Sequence, residues 1–181
     1  MKQEYNITAY SENHIGLLNR ITIIFTRRKV NIESLTVSAS AIKGVSKFTI
    51  VVEATEEQVK KIVQQIEKQV EVLKAYYLRN DEIIYQEVAL YKVSTEALIE
   101  SDQIEKLVRK HNARILEITK DYTVIEKTGH SEETQDFFNE LNEFKVLQFV
   151  RSGKVAITRS PIERLSEFLK KRDEMLKLID N

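Results

Sequence analysis

The chain has 181 residues, and Lys and Arg balance Asp and Glu at 28 each, for a formal net charge of +0. That balance removes the bulk electrostatic case for nucleic acid, which calls for a strongly basic domain or face. Hydrophobic residues at 42% and charged residues at 31% describe a globular chain, and the absence of Cys excludes disulfides, thiolate metal sites and a Cys nucleophile.

In chain order, residues 5–10 alternate loosely and read as a strand. A polar loop, Ser11-Glu12-Asn13-His14, leads to Gly16. Leu17, Leu18, Ile21, Ile24 and Phe25 then recur at helical spacing up to Arg28-Lys29, where basic residues suit the negative end of a helix dipole. Residues 31–37 read as a strand, and Phe48, Ile50 and Val52 give the next one a period-two apolar face. Thr55-Glu56-Glu57-Gln58 has the form of a capping box, opening a helix through Val59, Ile62, Val63, Ile66 and Val70. A strand over 72–78 completes a βαββαβ order, the ferredoxin-like arrangement.

The pattern then repeats. Residues 83–93 read as a strand. A short connector reaches Ser101-Asp102, which opens a helix through Ile104, Leu107 and Val108. Strands follow over 113–118 and 122–126. Ser131 is the expected N-cap of a helix with Phe137, Phe138 and Leu141 on its inner face. Residues 146–150 and 155–157 are expected to form a hairpin around Ser152-Gly153. Ser160-Pro161-Ile162-Glu163 then reads as a second capping box, with Pro at the first helical position. It opens a tail helix striped by Ile162, Leu165, Leu169, Leu176 and Ile179 and widened by Phe168 and Met175. The expected organisation is one domain over 1–80, a second over 81–160 and an amphipathic helix over 161–181. The preferred docking of that helix is onto the second domain.

The chemistry is thin. No nucleophile elbow or phosphate-binding glycine loop is present. The three His, at His14, His111 and His130, stand far apart, so neither a metal site nor a catalytic residue is expected. Lys47 and Phe48 do not supply the aromatic and basic pattern of an RNA-binding sheet. No apolar run reaches the ~20 residues of a membrane span, and no apolar stretch follows a basic start. A cytoplasmic protein without membrane or nucleic-acid partners is expected. What remains is the turn before the first helix. Free amides at a helix N-terminus favour an anion, and Gly16 permits close approach to the backbone. The side chains of Asn13 and Asn31 offer amide oxygens to an ammonium group. Together they fit a free amino acid. The neighbouring backbone of Ile15 and Leu17 is expected to face its carboxylate.

The run Glu12-Asn13-His14-Ile15-Gly16-Leu17-Leu18-Asn19-Arg20, with Phe25 and then Val30-Asn31-Ile32-Glu33-Ser34-Leu35-Thr36-Val37, resembles the start of the regulatory (small) subunit of acetohydroxyacid synthase, also called acetolactate synthase. Tyr122-Thr123-Val124 and Phe149-Val150-Arg151-Ser152-Gly153 resemble its C-terminal domain, so the likeness covers roughly residues 3–160. It implies an α+β fold of two tandem ferredoxin-like domains, the first an ACT domain. It also implies a non-catalytic subunit that activates a catalytic large subunit and confers feedback inhibition by valine or another branched-chain amino acid. Thiamine diphosphate, Mg and FAD belong to that partner, and none is expected in this chain. Two copies would join through their ACT domains as a homodimer, with the effector at the junction and Asn13, Gly16 and Asn31 at positions matching the family's effector residues. Polar Asn6 and Thr8 in the first strand depart from the family pattern. The alternative is a stand-alone ACT-domain amino-acid sensor acting on a different partner. An acylphosphatase-like hydrolase drafting Arg20 and Asn13 is a third reading.

Overall fold

A computed structural model of the chain describes residues 1–100, 102–162 and 164–179. The expected cap Ser101 and the capping-box Glu163 lie outside them, and so do the side chains of Met175, Leu176 and Ile179. The first repeat runs β1 (Gln3–Glu12), α1 (Leu17–Arg27), β2 (Ser34–Ala39), β3 (Val45–Ala54), α2 (Glu56–Glu67) and β4 (Val72–Arg79). The second runs β5 (Ile83–Ser94), α3 (Thr95–Glu100), α4 (Asp102–Lys110), β6 (Arg114–Ile118), β7 (Tyr122–Gly129), α5 (Ser131–Leu141) and β8 (Gln148–Arg151). After it come β9 (Val155–Thr158) and α6 (Arg164–Ile179). Both sheets are antiparallel and share one order, β2-β3-β1-β4 and β6-β7-β5-β8. This is the α+β, twice-repeated ferredoxin-like architecture that the alternation predicts.

By contact the chain divides into residues 1–84 with 156–181, and residues 85–155. In the first unit Tyr5, Ile7 and Ala9 of β1 meet Leu17, Ile21 and Phe25 of α1 and Val59, Ile62 and Ile66 of α2. These are the positions that period two and period 3.6 put on facing surfaces. The Thr55 box forms: Gln58 N donates to Thr55 Oγ1 at 3.4 Å, and Thr55 N donates to Gln58 Oε1 at 3.0 Å. Asn6 and Thr8 point to the helix-free face yet are buried, because the chain returns there. Lys47 Nζ donates to the Ala156 carbonyl at 2.6 Å, and the Arg164 guanidinium lies 4.6 Å from the Tyr76 ring centre. Asn6 Nδ2 donates to Asn80 Oδ1 at 2.7 Å, while its Oδ1 is buried without a partner among the described residues.

In the second unit Tyr91 and Val93 of β5, Ile104 and Val108 of α4, Ile125 of β7, and Phe137 and Leu141 of α5 form the core. Tyr91 meets Phe137 edge-on at 4.8 Å, and its hydroxyl donates to the Thr134 carbonyl at 2.7 Å. Burial pushes the Tyr91 phenol well above its usual range, so it stays a donor.

Five expectations change. The stretch Thr95–Glu100, expected as a connector, is helical. Val70 lies beyond the end of α2 and is 94% exposed. The cap of α5 is His130, one residue before Ser131: its amide donates to Glu133 Oε2 at 2.6 Å, and its ring stacks on Tyr85 at 4.4 Å. β8 and β9 form no hairpin; both pair with β5. Between them Ser152 N donates to the Val88 carbonyl and Val88 N to Ser152 Oγ, so one side chain bridges the break in the ladder. Finally, the tail helix docks on the first unit rather than the second, with Leu165 only 2% exposed. Before α6, Ile162 N donates to Ser160 Oγ two residues back.

Candidate functional site

The turn between β1 and α1 is built by three backbone restraints. Glu12 N donates to the Glu71 carbonyl at 2.9 Å, Asn13 N to the Gly44 carbonyl at 3.1 Å, and Leu17 N to the His14 carbonyl at 3.3 Å. The last of these closes a tight turn around Gly16, which sits at φ +84° as the N-cap of α1. A Cβ there would meet nothing within 4 Å, so the glycine is needed for its backbone conformation rather than for space. No side chain caps α1 and its first turn holds no acidic residue. Among the described residues, the amides of Gly16, Leu18 and Asn19 have no hydrogen-bond acceptor, which is the electropositive arrangement an anion needs.

The sequence-predicted residues divide in this geometry. Asn13 and Ile15 are exposed at the turn, Ile15 98% so. Leu17 contributes neither a free amide nor an exposed side chain: its N–H is taken by His14 and its side chain is in the core. Asn31 is exposed, with Nδ2 donating to Glu33 Oε1 at 2.9 Å and its carbonyl oxygen left as the acceptor. It stands before β2, whose first residue Ser34 is level with Val51 and so with Asn6, six residues from the end of β1. At about 3.4 Å per residue, Asn31 is therefore on the order of 20 Å from the Gly16 turn along the sheet. One chain does not bring the two together.

Sequence reasoning missed Glu71. Arg20 Nη2 donates to Glu71 Oε1 at 2.6 Å, and His14 Nδ1 is 3.8 Å from the same oxygen. The Arg20 guanidinium holds the Glu71 carboxyl below the usual range. Four residues separate Gly16 from Arg20, one helical turn, which was the available sign that Arg20 overlooks the site. Its partner is 51 residues away, so no local spacing could reveal it. The same bond commits the Arg that a hydrolase reading would need for phosphate.

β2 is an open edge of the first sheet, with Val37, Ser38 and Ala39 exposed. Unpaired N–H and C=O groups beside exposed apolar side chains form a template for another strand. No described helix is long and apolar enough to cross a membrane.

Residues 3–74 match the family model for the AHAS small subunit-like ACT domain, and residues 86–160 that for the small subunit of acetolactate synthase. The chain is 33% identical over 161 residues to an acetolactate synthase small subunit of Bacillus subtilis, covering 88% of this chain and 93% of that one. It is 33% identical over 157 residues to that of Mycobacterium leprae, covering 87% and 92%. The crystal structure of the acetolactate synthase small subunit from Thermotoga maritima aligns with a TM-score of 0.79 at 28% identity, over 88% of this chain and 99% of that one. Matched across both repeats in sequence and in fold, the chain belongs to the acetolactate synthase small-subunit family.

Proposed function

We propose that this chain is the non-catalytic regulatory subunit of an acetolactate synthase, activating a catalytic large subunit and relaying inhibition by valine or another branched-chain amino acid. Thiamine diphosphate, Mg and FAD are assigned to the large subunit. The observation that carries the reading is the separation of the Gly16 turn from Asn31 within one chain. A free amino acid cannot span it. A two-fold dimer in which the β2 edges pair antiparallel reverses one copy against the other, bringing the Asn31 end of one ACT domain toward the Asn13 and Gly16 turn of its neighbour. The amides of Gly16, Leu18 and Asn19 then suit the effector carboxylate, and the oxygens of Asn13 and Asn31 its ammonium. Exposed Ile15, Leu18 and Val37 supply the apolar contacts of such a junction.

The mechanism is linkage. An amino acid that binds one arrangement of the dimer better shifts the assembly toward it. Where that weakens a binding equilibrium with the large subunit, the large subunit weakens effector binding by the same factor. The test is reconstitution with the large subunit and assay of acetolactate formation with valine, leucine and isoleucine. Gly16→Asp places a carboxylate against the effector's own and is expected to weaken inhibition on the order of a hundredfold or more, with activation kept. Gly16→Asn has the same shape without the charge, and both residues tolerate positive φ, so it controls for strain. Undiminished inhibition in Gly16→Asp removes the effector from this turn. Absence of activation removes the regulatory reading.

A further inference from the structure

We propose that Glu71 is a positioning residue for the effector turn, holding residues 12–16 and the first turn of α1 in the form that leaves the Gly16, Leu18 and Asn19 amides open; this rests on the effector reading above. Glu71 lies in the turn between α2 and β4, far from the site in sequence, yet it touches the turn at both of its ends. Its carbonyl accepts from Glu12 N at 2.9 Å, just past the register shift at Tyr10 and Ser11 that ends regular β1–β4 pairing. Its carboxylate accepts from Arg20 on α1 at 2.6 Å and stands 3.8 Å from His14 within the turn. A single residue thus ties the strand end, the turn and the helix. Apart from the Glu71 carbonyl, backbone bonding restrains the turn through the Gly44 carbonyl, the His14–Leu17 closure and the Arg20 N–H on the Gly16 carbonyl.

The carboxylate is held unusually. Oε1 carries both contacts, while Oε2 is shielded from solvent and has no hydrogen-bond partner among the described residues. A shielded carboxylate oxygen without a donor is costly and calls for an explanation. Beside Glu71's own backbone N–H, the negative charge is compensated by Arg20 of α1 and His14 of the turn, so α1 and the turn are drawn toward Glu71 together. Neutralising Glu71 releases the Arg20 side chain and the turn without removing any apolar contact. The residue acts through the turn, and no contact between it and the effector is needed.

The experiment uses Glu71→Gln, Arg20→Gln and the double variant in the full chain reconstituted with the large subunit. Hydrogen exchange without added amino acid is expected to quicken severalfold at amides 12–19 in Glu71→Gln and to stay unchanged in β3 and α2. The valine concentration for half-inhibition is expected to rise about tenfold, with maximal activation kept and the melting temperature only slightly lowered, and the double variant to be no weaker than the single one. Unchanged exchange at 12–19 overturns the proposal. So does faster exchange with an unchanged valine response, and so does faster exchange across the whole unit. An unresponsive unsubstituted chain, or a Gly16→Asp variant that responds normally, defeats the effector reading itself and is told apart because it appears without touching Glu71.

Discussion

The two repeats share a strand order, and among the places where they differ is the connection from the first strand to the first helix. In the first repeat it is a tight turn around Gly16, with exposed Asn13 and Ile15 and open amides at the start of α1. In the second the same topological position is filled by α3, which runs from the end of β5 to the vicinity of α4. Thr95 at its start is buried, its amide donating to the Asp121 carbonyl at 3.3 Å and its hydroxyl 3.0 Å from Thr123 Oγ1. Acidic Glu96 and Asp102 stand in the first turns of α3 and α4, where α1 has none. A ferredoxin-like scaffold does not by itself leave helix amides open; the uncapped, acid-free turn at Gly16 does.

Four changes would break or sharpen this comparison. Phe25→Ala empties a fully buried aromatic position on α1 of the first repeat and Phe137→Ala one on α5 of the second repeat, and each is expected to cost about 3–5 kcal/mol. Denaturant unfolding measures the cost, and exchange should rise in β1 and β3 for the first and in β5 and β7 for the second. A rise spread equally over both repeats in either variant would deny that the cores are separate. Thr95→Val leaves the Thr123 hydroxyl buried without a partner and should cost about 1–3 kcal/mol, whereas the double change Thr95→Val with Thr123→Val should cost less than either alone. A smaller loss in the single variant would mean that the second repeat does not depend on its filled connection.

Thr55→Ala removes the capping box of α2 and is expected to cost about 1 kcal/mol by the same unfolding measurement. The smallest effect is that of acid. Glu71, Glu56 and Glu57 in the first unit are held below the usual 4.5 by Arg20, Lys60 and Lys61, and Glu140 in the second by Lys110. A carboxyl depressed in the folded state adds stability above pH 4.5, and this is lost as pH falls below it. The melting temperature should therefore drop between pH 5 and 3, less steeply in Glu71→Gln. An identical slope in the variant would show that the Arg20 pair is without effect on folding.

Local signals suffice where the interaction partner is local. Thr55 and Gln58 are three residues apart and bond as their spacing says. Gly16 at the start of an apolar helical stripe marks its own left-handed turn. His130 shows the limit of such signals: Ser131 has the commoner capping side chain, but stacking on Tyr85, 45 residues earlier in sequence, accompanies a cap one residue sooner. The β8–β9 hairpin failed for a related reason. Ser152-Gly153 is competent to turn, but the open edge of β5 takes both strands instead.

The amino-acid sequence by itself determined the two βαββαβ repeats, their inner faces and the turn at Gly16, because periodicity and capping act within a few residues. Tertiary structure decided the rest: the return of residues 156–162 and 164–165 onto the first sheet, the burial of Asn6 and Thr8 beneath it, the Arg20–Glu71 tie and the distance that parts Asn31 from Gly16. Each of these joins residues far apart along the chain or sets how far apart folding leaves them, and no pattern within a window of neighbours encodes which distant group will be there.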